Sequence, residues 1–511
     1  MSDNKPKGAT MAKDTIIYML AKGIEGIIGI VTLSVMSYLF TTAQTGRYST
    51  INIAITTIAM VAIQWLVQSV LRYINKYDIA NKHKEFYSTV FTAWFWINTV
   101  VPVLGFILLF VLKFAFGKYA VVEEFTAVYS YSSFLFGILW FVTYNTAQLM
   151  IAMLAAIRQA KLNLVLSMIT VFGKLLFMVI FCKLWGSRIE WIFLSYFITD
   201  GIVALIGMKK LNILYYIKSR QFSGDILKEL KEYGMPLMGN MLSTSVLNKS
   251  DIYIITAILG ASASGIYQMN YTLVATAFTL LNASVMRGCY PTILRAWSEG
   301  NKDAAKWYLN SAVRMYLMVA VPAVVGVASV SQVVASTLFE EGYSKGHTVM
   351  FWVALGMMFL GLTEYSIKHW ELNANTKAIF GRSLIGGVVN VALNIILIKV
   401  TGSYYIASVT TFVGFFVYFI LARFGTRHYL SWSLKPITLV RILGSSVVMA
   451  VVIYALKQIL PSGKIYLAIY IICGIIVYGV SLVITGEVKD ELNAVLNKAK
   501  GIKNTNNINK K

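Results

Sequence analysis

Apolar runs of about 20 residues follow one another along this chain, from near the N-terminus to about residue 485, with short polar stretches between them. Roughly 20 residues at about 1.5 Å each is the length an α-helix needs to cross the hydrocarbon core of a bilayer. The runs are too long for strands and lack the period-two alternation of an outer-membrane barrel. They predict about fourteen spans, at residues 15–40, 50–73, 88–112, 127–156, 164–184, 191–215, 235–258, 265–290, 307–331, 347–372, 379–398, 404–426, 436–457 and 463–485. The expected fold class is all-α integral membrane. The first run, Thr15 to Phe40, exceeds a signal-peptide core and ends without a small-residue cleavage pattern, so it is expected to stay as the first span.

Between spans 6 and 7, Ile226, Leu230 and Tyr233 recur at helical spacing with Lys and Glu between them. This predicts an amphipathic helix on the membrane surface within the connection 216–234, the longest in the chain. Residues 500–511, rich in Lys and Asn, predict a disordered tail.

Four short matches recur in order at nearly constant offset. Thr45-Gly46-Arg47-Tyr48 pairs with Ser264-Gly265-Ile266-Tyr267, and Ser69-Val70-Leu71-Arg72 with Ser284-Val285-Met286-Arg287. Asn81-Lys82 pairs with Asn301-Lys302, and Val101-Pro102 with Val321-Pro322. Together they predict a duplicated six-span unit followed by two further spans. An even number of spans per unit makes the copies parallel, two lobes facing one another across a central cavity. The expected division is 1–222 (spans 1–6), 223–430 (spans 7–12), 431–485 (spans 13–14) and a cytoplasmic tail, 486–511.

Composition agrees with a lipid solvent: 58% of residues are hydrophobic and 13% charged, with a mean hydropathy of +0.68. The net charge of +23 would suggest nucleic acid in a soluble protein. Here its distribution follows the membrane. With the N-terminus taken as cytoplasmic, 31 of the 45 Lys and Arg fall on that side and nine on the other. The positive-inside rule therefore predicts cytoplasmic ends, and no nucleic-acid partner is expected.

Charges inside spans are costly and mark candidate functional residues. They are Lys22 and Glu25 (span 1), Lys174 (span 5), Asp200 (span 6), Lys249 and Asp251 (span 7), Arg287 (span 8), Arg314 (span 9) and Glu364 (span 10). The cations Lys22, Lys174, Lys249, Arg287 and Arg314 are candidates to line a cavity for an anionic cargo, a diphosphate or an acidic sugar. The carboxylates Glu25, Asp200, Asp251 and Glu364 are candidates for binding a coupling H⁺ or Na⁺. For each the bland reading is an ion pair: Lys22 and Glu25 share a helix face three residues apart, and Arg287 is placed to snorkel as Arg72 does. Lys249 and Asp251 lie about fourteen residues into span 7 and point to different sides of their helix, so they do not form one simple pair.

Enzymatic readings find no support. His83, His347, His369 and His428 lie in loops or at span ends, and Cys182, Cys289 and Cys473 have neither metal-ligand nor disulfide spacing. No HExxH, Walker-type or paired-Cys motif is present, and no catalytic residues, metal or cofactors are expected.

The run Asn390-Val-Ala-Leu-Asn394-Ile-Ile-Leu-Ile398, followed by Gly402 and Ala407-Ser-Val-Thr410, resembles the NxxLNxxLI…G…A…T stretch of the polysaccharide exporters. Asp251 with Gly260, Gly265 and Tyr267 is similar to their D…G…GxY segment, and Tyr290-Pro291 to the YP after span 8. Lys399 stands where that family often has Pro. These exporters belong to the multidrug/oligosaccharidyl-lipid/polysaccharide superfamily, and the resemblance spans essentially the whole chain. It implies a flippase that moves undecaprenyl-diphosphate-linked oligosaccharide repeat units across a bacterial cytoplasmic membrane by alternating access, coupled to a cation gradient. The partners it implies are that lipid-linked cargo, membrane lipids and the polymerase and assembly proteins of surface polysaccharide. The alternatives are a cation-coupled multidrug antiporter or a lipid II flippase of the same superfamily.

Overall fold

The computed structural model describes residues 8–116, 131–213, 215–216, 221–461 and 463–489. The expected disordered tail 500–511 lies outside the described residues. Among those described, the long helices are α1 Gly8–Leu39, α2 Thr42–Ile79, α3 His83–Phe116, α4 Tyr131–Ala156, α5 Ala160–Trp185, α6 Ile189–Lys210 and α7 Gly224–Leu259. They continue with α8 Ala261–Ser298, α9 Lys302–Leu338, α10 His347–Ser366, α11 Thr376–Thr401, α12 Tyr405–Gly425, α13 Pro436–Ile459 and α14 Lys464–Ile484. Eleven of these are long and apolar enough to cross a membrane. The other three fall short for visible reasons. The described apolar part of α1 is Gly23–Leu39, α7 carries Asn248, Lys249 and Asp251 within its apolar half, and α8 carries Gln268, Asn270, Thr272 and Asn282 along its length. Large apolar side chains such as Val447, Ile472 and Ile476 stand exposed on the last two helices, as lipid-facing positions must. The protein is an all-helical, multi-pass integral membrane protein.

Packing repeats along the chain. In the first six helices α2 contacts α3 and α4, α4 contacts α3, α5 and α6, α5 contacts α6, and α1 contacts α5. Six helices later α8 contacts α9 and α10, α10 contacts α12, α11 contacts α12, and α7 contacts α11. The turns repeat as well. Asn81 (φ 55°) between α2 and α3 matches Gly300 (φ 77°) between α8 and α9; each is left-handed and ends a 6→1 hydrogen bond, Lys82 N to Tyr77 O and Asn301 N to Ala296 O. Arg158 (φ 60°) and Ala374 (φ 55°) do the same between α4 and α5 and between α10 and α11. Helices α5 and α11 consequently start in equivalent register, and each runs 26 residues.

The two sets meet most closely through α2. At the α1–α2 end of the bundle, Gly46 on α2 crosses Gly265 on α8, the glycines of the first sequence repeat. A Cβ on Gly46 would overlap the Ala261 carbonyl oxygen, and one on Gly265 would overlap that of Thr42, so both positions need glycine. Thr42 Oγ1 and Ser262 Oγ lie 2.6 Å apart there. Tyr343, fully buried in the connection between α9 and α10, donates to Phe40 O at 2.8 Å and bonds Thr45 Oγ1 at 2.6 Å.

At the opposite end α2 packs on the first turns of α7. The expected surface helix is helical but continuous with α7: Ile226 and Leu230 are buried, and Ser69 Oγ donates to Leu230 O at 2.7 Å. The apolar stripe that would lie on lipid lies on α2 instead. Helices α13 and α14 lean on α9. Glu487, just past α14 and almost fully buried, accepts from Arg314 Nε of α9 at 2.7 Å and from Arg441 Nη1 of α13 at 3.4 Å.

Candidate functional site

A cavity of about 420 Å³ opens between the two sets of helices, lined by α1, α2, α5, α6 and α8. Its walls mix apolar surface with neutral hydrogen-bonding side chains, among them Thr32, Tyr48, Asn52, Tyr196, Gln268 and Thr272, with Lys174 and Glu25 as the charged members. Lys174 is held from behind. Its Nζ lies 2.9 Å from Asp200 Oδ2, which also accepts from Trp140 Nε1 at 2.8 Å. The Lys174 ammonium stands 4.9 Å from the centroid of the Tyr196 ring, and the Tyr196 and Tyr48 hydroxyls bond one another at 2.9 Å. Asp200 is 2% exposed and does not reach the cavity; Lys174 does.

Close helix approach builds this arrangement. Gly173 precedes Lys174 and packs on Thr199, which precedes Asp200; a Cβ at Gly173 would come within 2.8 Å of Thr199 Cγ2. Two turns further along α6, Gly207 lies against Met150 of α4, so α6 packs closely on both α4 and α5. The Asp200 carboxylate is thereby placed between Trp140 on one helix and Lys174 on the other.

A second buried carboxylate has quite different company. Asp251 on α7 is 1% exposed and accepts from Tyr267 OH at 2.7 Å, from Asn394 Nδ2 at 2.7 Å and from Thr411 Oγ1. Asn394 also donates to Asn390 Oδ1 at 3.0 Å and accepts from Thr410 Oγ1 at 2.7 Å. Four helices, α7, α8, α11 and α12, thus converge on one carboxylate through neutral donors. No Lys or Arg among the described residues pairs with it. Such a site, with carboxylate, amide and hydroxyl oxygens within reach of one another, suits a small cation.

The other expected residues are dispersed. Lys22 lies on α1, and its side chain is outside those described. Lys249 on α7 is half-buried and has no ion-pair or hydrogen-bond partner among the described residues. Arg287 is exposed on α8, and Arg314 is engaged with Glu487. Glu364 is exposed near the end of α10, near Asn282 of α8. Sequence reasoning had not singled out Trp140, Tyr196, Asn390, Asn394 or Thr411 as members of a site. One signal was available: Asn390 and Asn394 are four apart in an apolar run, which sets two amides on one face of a membrane helix.

A family model described as polysaccharide biosynthesis protein matches residues 11–297, more than half of the chain. The chain belongs to that family. Solved structures place the fold. The chain resembles "Lipid II flippase MurJ, inward closed conformation" with a TM-score of 0.69 at 16% identity, over 93% of this chain and 100% of that one. It also resembles the inward-facing conformation of a multidrug resistance MATE family transporter of the MOP superfamily, with a TM-score of 0.61 at 13% identity, over 80% and 94%. The Vibrio cholerae MATE transporter VcmN in its bent form matches with a TM-score of 0.54 at 14% identity, over 83% and 97%. No curated protein sequence matches the chain significantly. This member of the polysaccharide biosynthesis protein family therefore shares its fold with the lipid II flippase and with the MATE transporters of the MOP superfamily.

Proposed function

We propose that this family member is a flippase for undecaprenyl-diphosphate-linked oligosaccharide repeat units in a bacterial cytoplasmic membrane, serving the biosynthesis of surface polysaccharide. In this reading the two sets of six helices are lobes, and the α2–α3 end of the bundle faces the cytoplasm. The observation that carries the reading is the inter-lobe cavity. A wall of hydroxyls and amides suits a glycan, and Lys174 supplies a cation at membrane depth for a diphosphate oxygen. A lobe rotation that parts the Gly46–Gly265 crossing at one end would expose the same cavity to the other side of the membrane. Asp251 is the favoured coupling group, because a carboxylate buried without a protein cation is costly until H⁺ or Na⁺ neutralises it.

The test is genetic and chemical. Deleting the gene should make lipid-linked repeat units accumulate on the cytoplasmic leaflet while surface polysaccharide is lost. Normal surface polysaccharide with no accumulation would overturn the reading. If instead the deletion depletes translocated lipid II or sensitises cells to cationic dyes, the cargo is that of the lipid II or multidrug transporters. Export that persists after collapse of both the H⁺ and the Na⁺ gradient would remove the coupling proposal.

A further inference from the structure

The two sets of helices treat their buried carboxylates in opposite ways, and the repeat shows how. Helices α5 and α11 are the same length and follow matching left-handed turns, Arg158 and Ala374. Lys174 and Asn390 are each the fifteenth residue of their helix. Tyr48 and Tyr267 are equivalent by the same repeat, each the seventh residue of α2 or α8. Where the second set has the neutral amide Asn390, bonded to the Asn394 that donates to Asp251, the first set has an ammonium 2.9 Å from a carboxylate; the carboxylates themselves come from non-equivalent helices, Asp251 from α7 and Asp200 from α6.

We infer that Lys174 is a tethered cation filling, in the first lobe, the place that the second lobe leaves to a cation from solution. Asp200 is then a positioning residue for Lys174 and does not exchange ions. The groups around Asp200 fit this assignment: Lys174 from α5, the Trp140 indole and Tyr144 from α4, Tyr196 from its own helix, and Tyr48 of α2 through the Tyr196 hydroxyl. Lys174 is the only cation among these, and with an anion 2% exposed it leaves no unbalanced charge to draw in another. The consequence is asymmetry, a fixed cation facing the cargo from one lobe and one exchangeable cation held by the other. This goes beyond the flippase reading and would hold for any cargo; only the exchangeable site at Asp251 is taken from it.

The experiment is a thermal-unfolding titration of the purified full-length protein in detergent at pH 8, sodium chloride against choline chloride at equal ionic strength. K174A should gain a sodium-specific rise in Tm of about 2–4 °C that is absent from K174A/D200N, because a vacated site binds ligand in the folded state only. Equal sodium responses in these two variants would overturn the inference. The wild-type response should vanish in D251N, and K174A/D251N should regain one. A sodium response in D251N that D200N/D251N lacks would show Asp200 exchanging ions beside Lys174, which also overturns it. A wild type and D251N that respond alike would instead remove Asp251 as a sodium site and leave the K174A comparison standing. If K174A does not fold, K174Q keeps the length of the side chain, and the D251N comparison needs no change at Lys174.

Discussion

Asp251 receives three neutral hydrogen bonds and no described protein cation, so removing its charge without changing its shape is the sharpest test of its role. Asp251→Asn should preserve insertion and folding: with its amide oxygen in the Oδ1 position it still accepts from Asn394, and its NH2 in the Oδ2 position can donate to the Tyr267 and Thr411 hydroxyls. Transport in reconstituted vesicles should fall at least about tenfold and lose its dependence on the imposed H⁺ or Na⁺ gradient. Gradient-dependent transport at the wild-type rate would show that Asp251 is structural. The residue was visible in the sequence as a charge deep in a span, but its partners were not. Tyr267, Asn394 and Thr411 lie 16, 143 and 160 positions away on three other helices. Local periodicity reports which face of a helix is polar and not which helix it will meet. The pairing of Lys174 with Asp200 and of Arg314 with Glu487 was hidden for the same reason, and Glu487 lies beyond the last expected span.

Arg314 shows how a charged residue in a membrane helix can serve packing between elements. Its guanidinium and that of Arg441 share the buried Glu487 carboxylate, joining α9, α13 and the end of α14. Glu487→Ala would remove the carboxylate shared by two arginines, each about a third exposed, while Arg314 keeps its hydrogen bond to the backbone carbonyl of residue 487. The expected loss is about 1–3 kcal/mol, below the cost of breaking a fully buried pair because water screens the guanidinium groups. It should read as a lower Tm in detergent and as earlier protease cleavage between α12 and α13. At the junction of α2 and α7, Glu229 accepts from Lys76 and Tyr77. Burial pushes its carboxyl up, but those two hydrogen bonds and the nearby positive charge outweigh it and hold the group below its ordinary value. A depressed carboxylate adds stability above its ordinary range and loses it as pH falls through the lowered value. The α2–α7 contact should therefore be intact at neutral pH and loosen as the pH falls below the ordinary Glu range. Glu229→Gln should be loosened already at pH 7, as followed by spin-label distances between the end of α2 and the first turns of α7. That contact also explains why an amphipathic stripe at 226–233 was legible as a helix while its location was not: α2 offers the same apolar surface that lipid would.

For the whole molecule, alternation requires that the closed α1–α2 end be able to open, and the glycine crossing supplies a direct way to ask. Thr42 and Ser262 stand on either side of it with their hydroxyl oxygens 2.6 Å apart, close enough for two cysteine sulfurs to reach bonding distance with a small adjustment. The native cysteines Cys182, Cys289 and Cys473 sit elsewhere and are replaced first. Oxidised T42C/S262C should then bind cargo from the α2–α3 end but export none, and a reductant should restore export. Each single-cysteine variant should be indifferent to oxidation. If the cross-linked protein still exported, the crossing would be a fixed seam, and cargo would have to leave by another path. The same protein separates closing from packing: Gly46→Val would force α2 and α8 apart, whereas a Cβ at Gly444 on α13 meets no atom within 4 Å, which makes Gly444→Val the control. Cysteine labelling from the α1–α2 side should therefore rise at Asn52, on the cavity wall, in the first variant and stay unchanged in the second. The sequence repeat made this test conceivable, since it set Gly46 and Gly265 at equivalent positions of two copies. Only the structure shows that those two copies touch at that point, where two backbones come too close for any side chain larger than hydrogen.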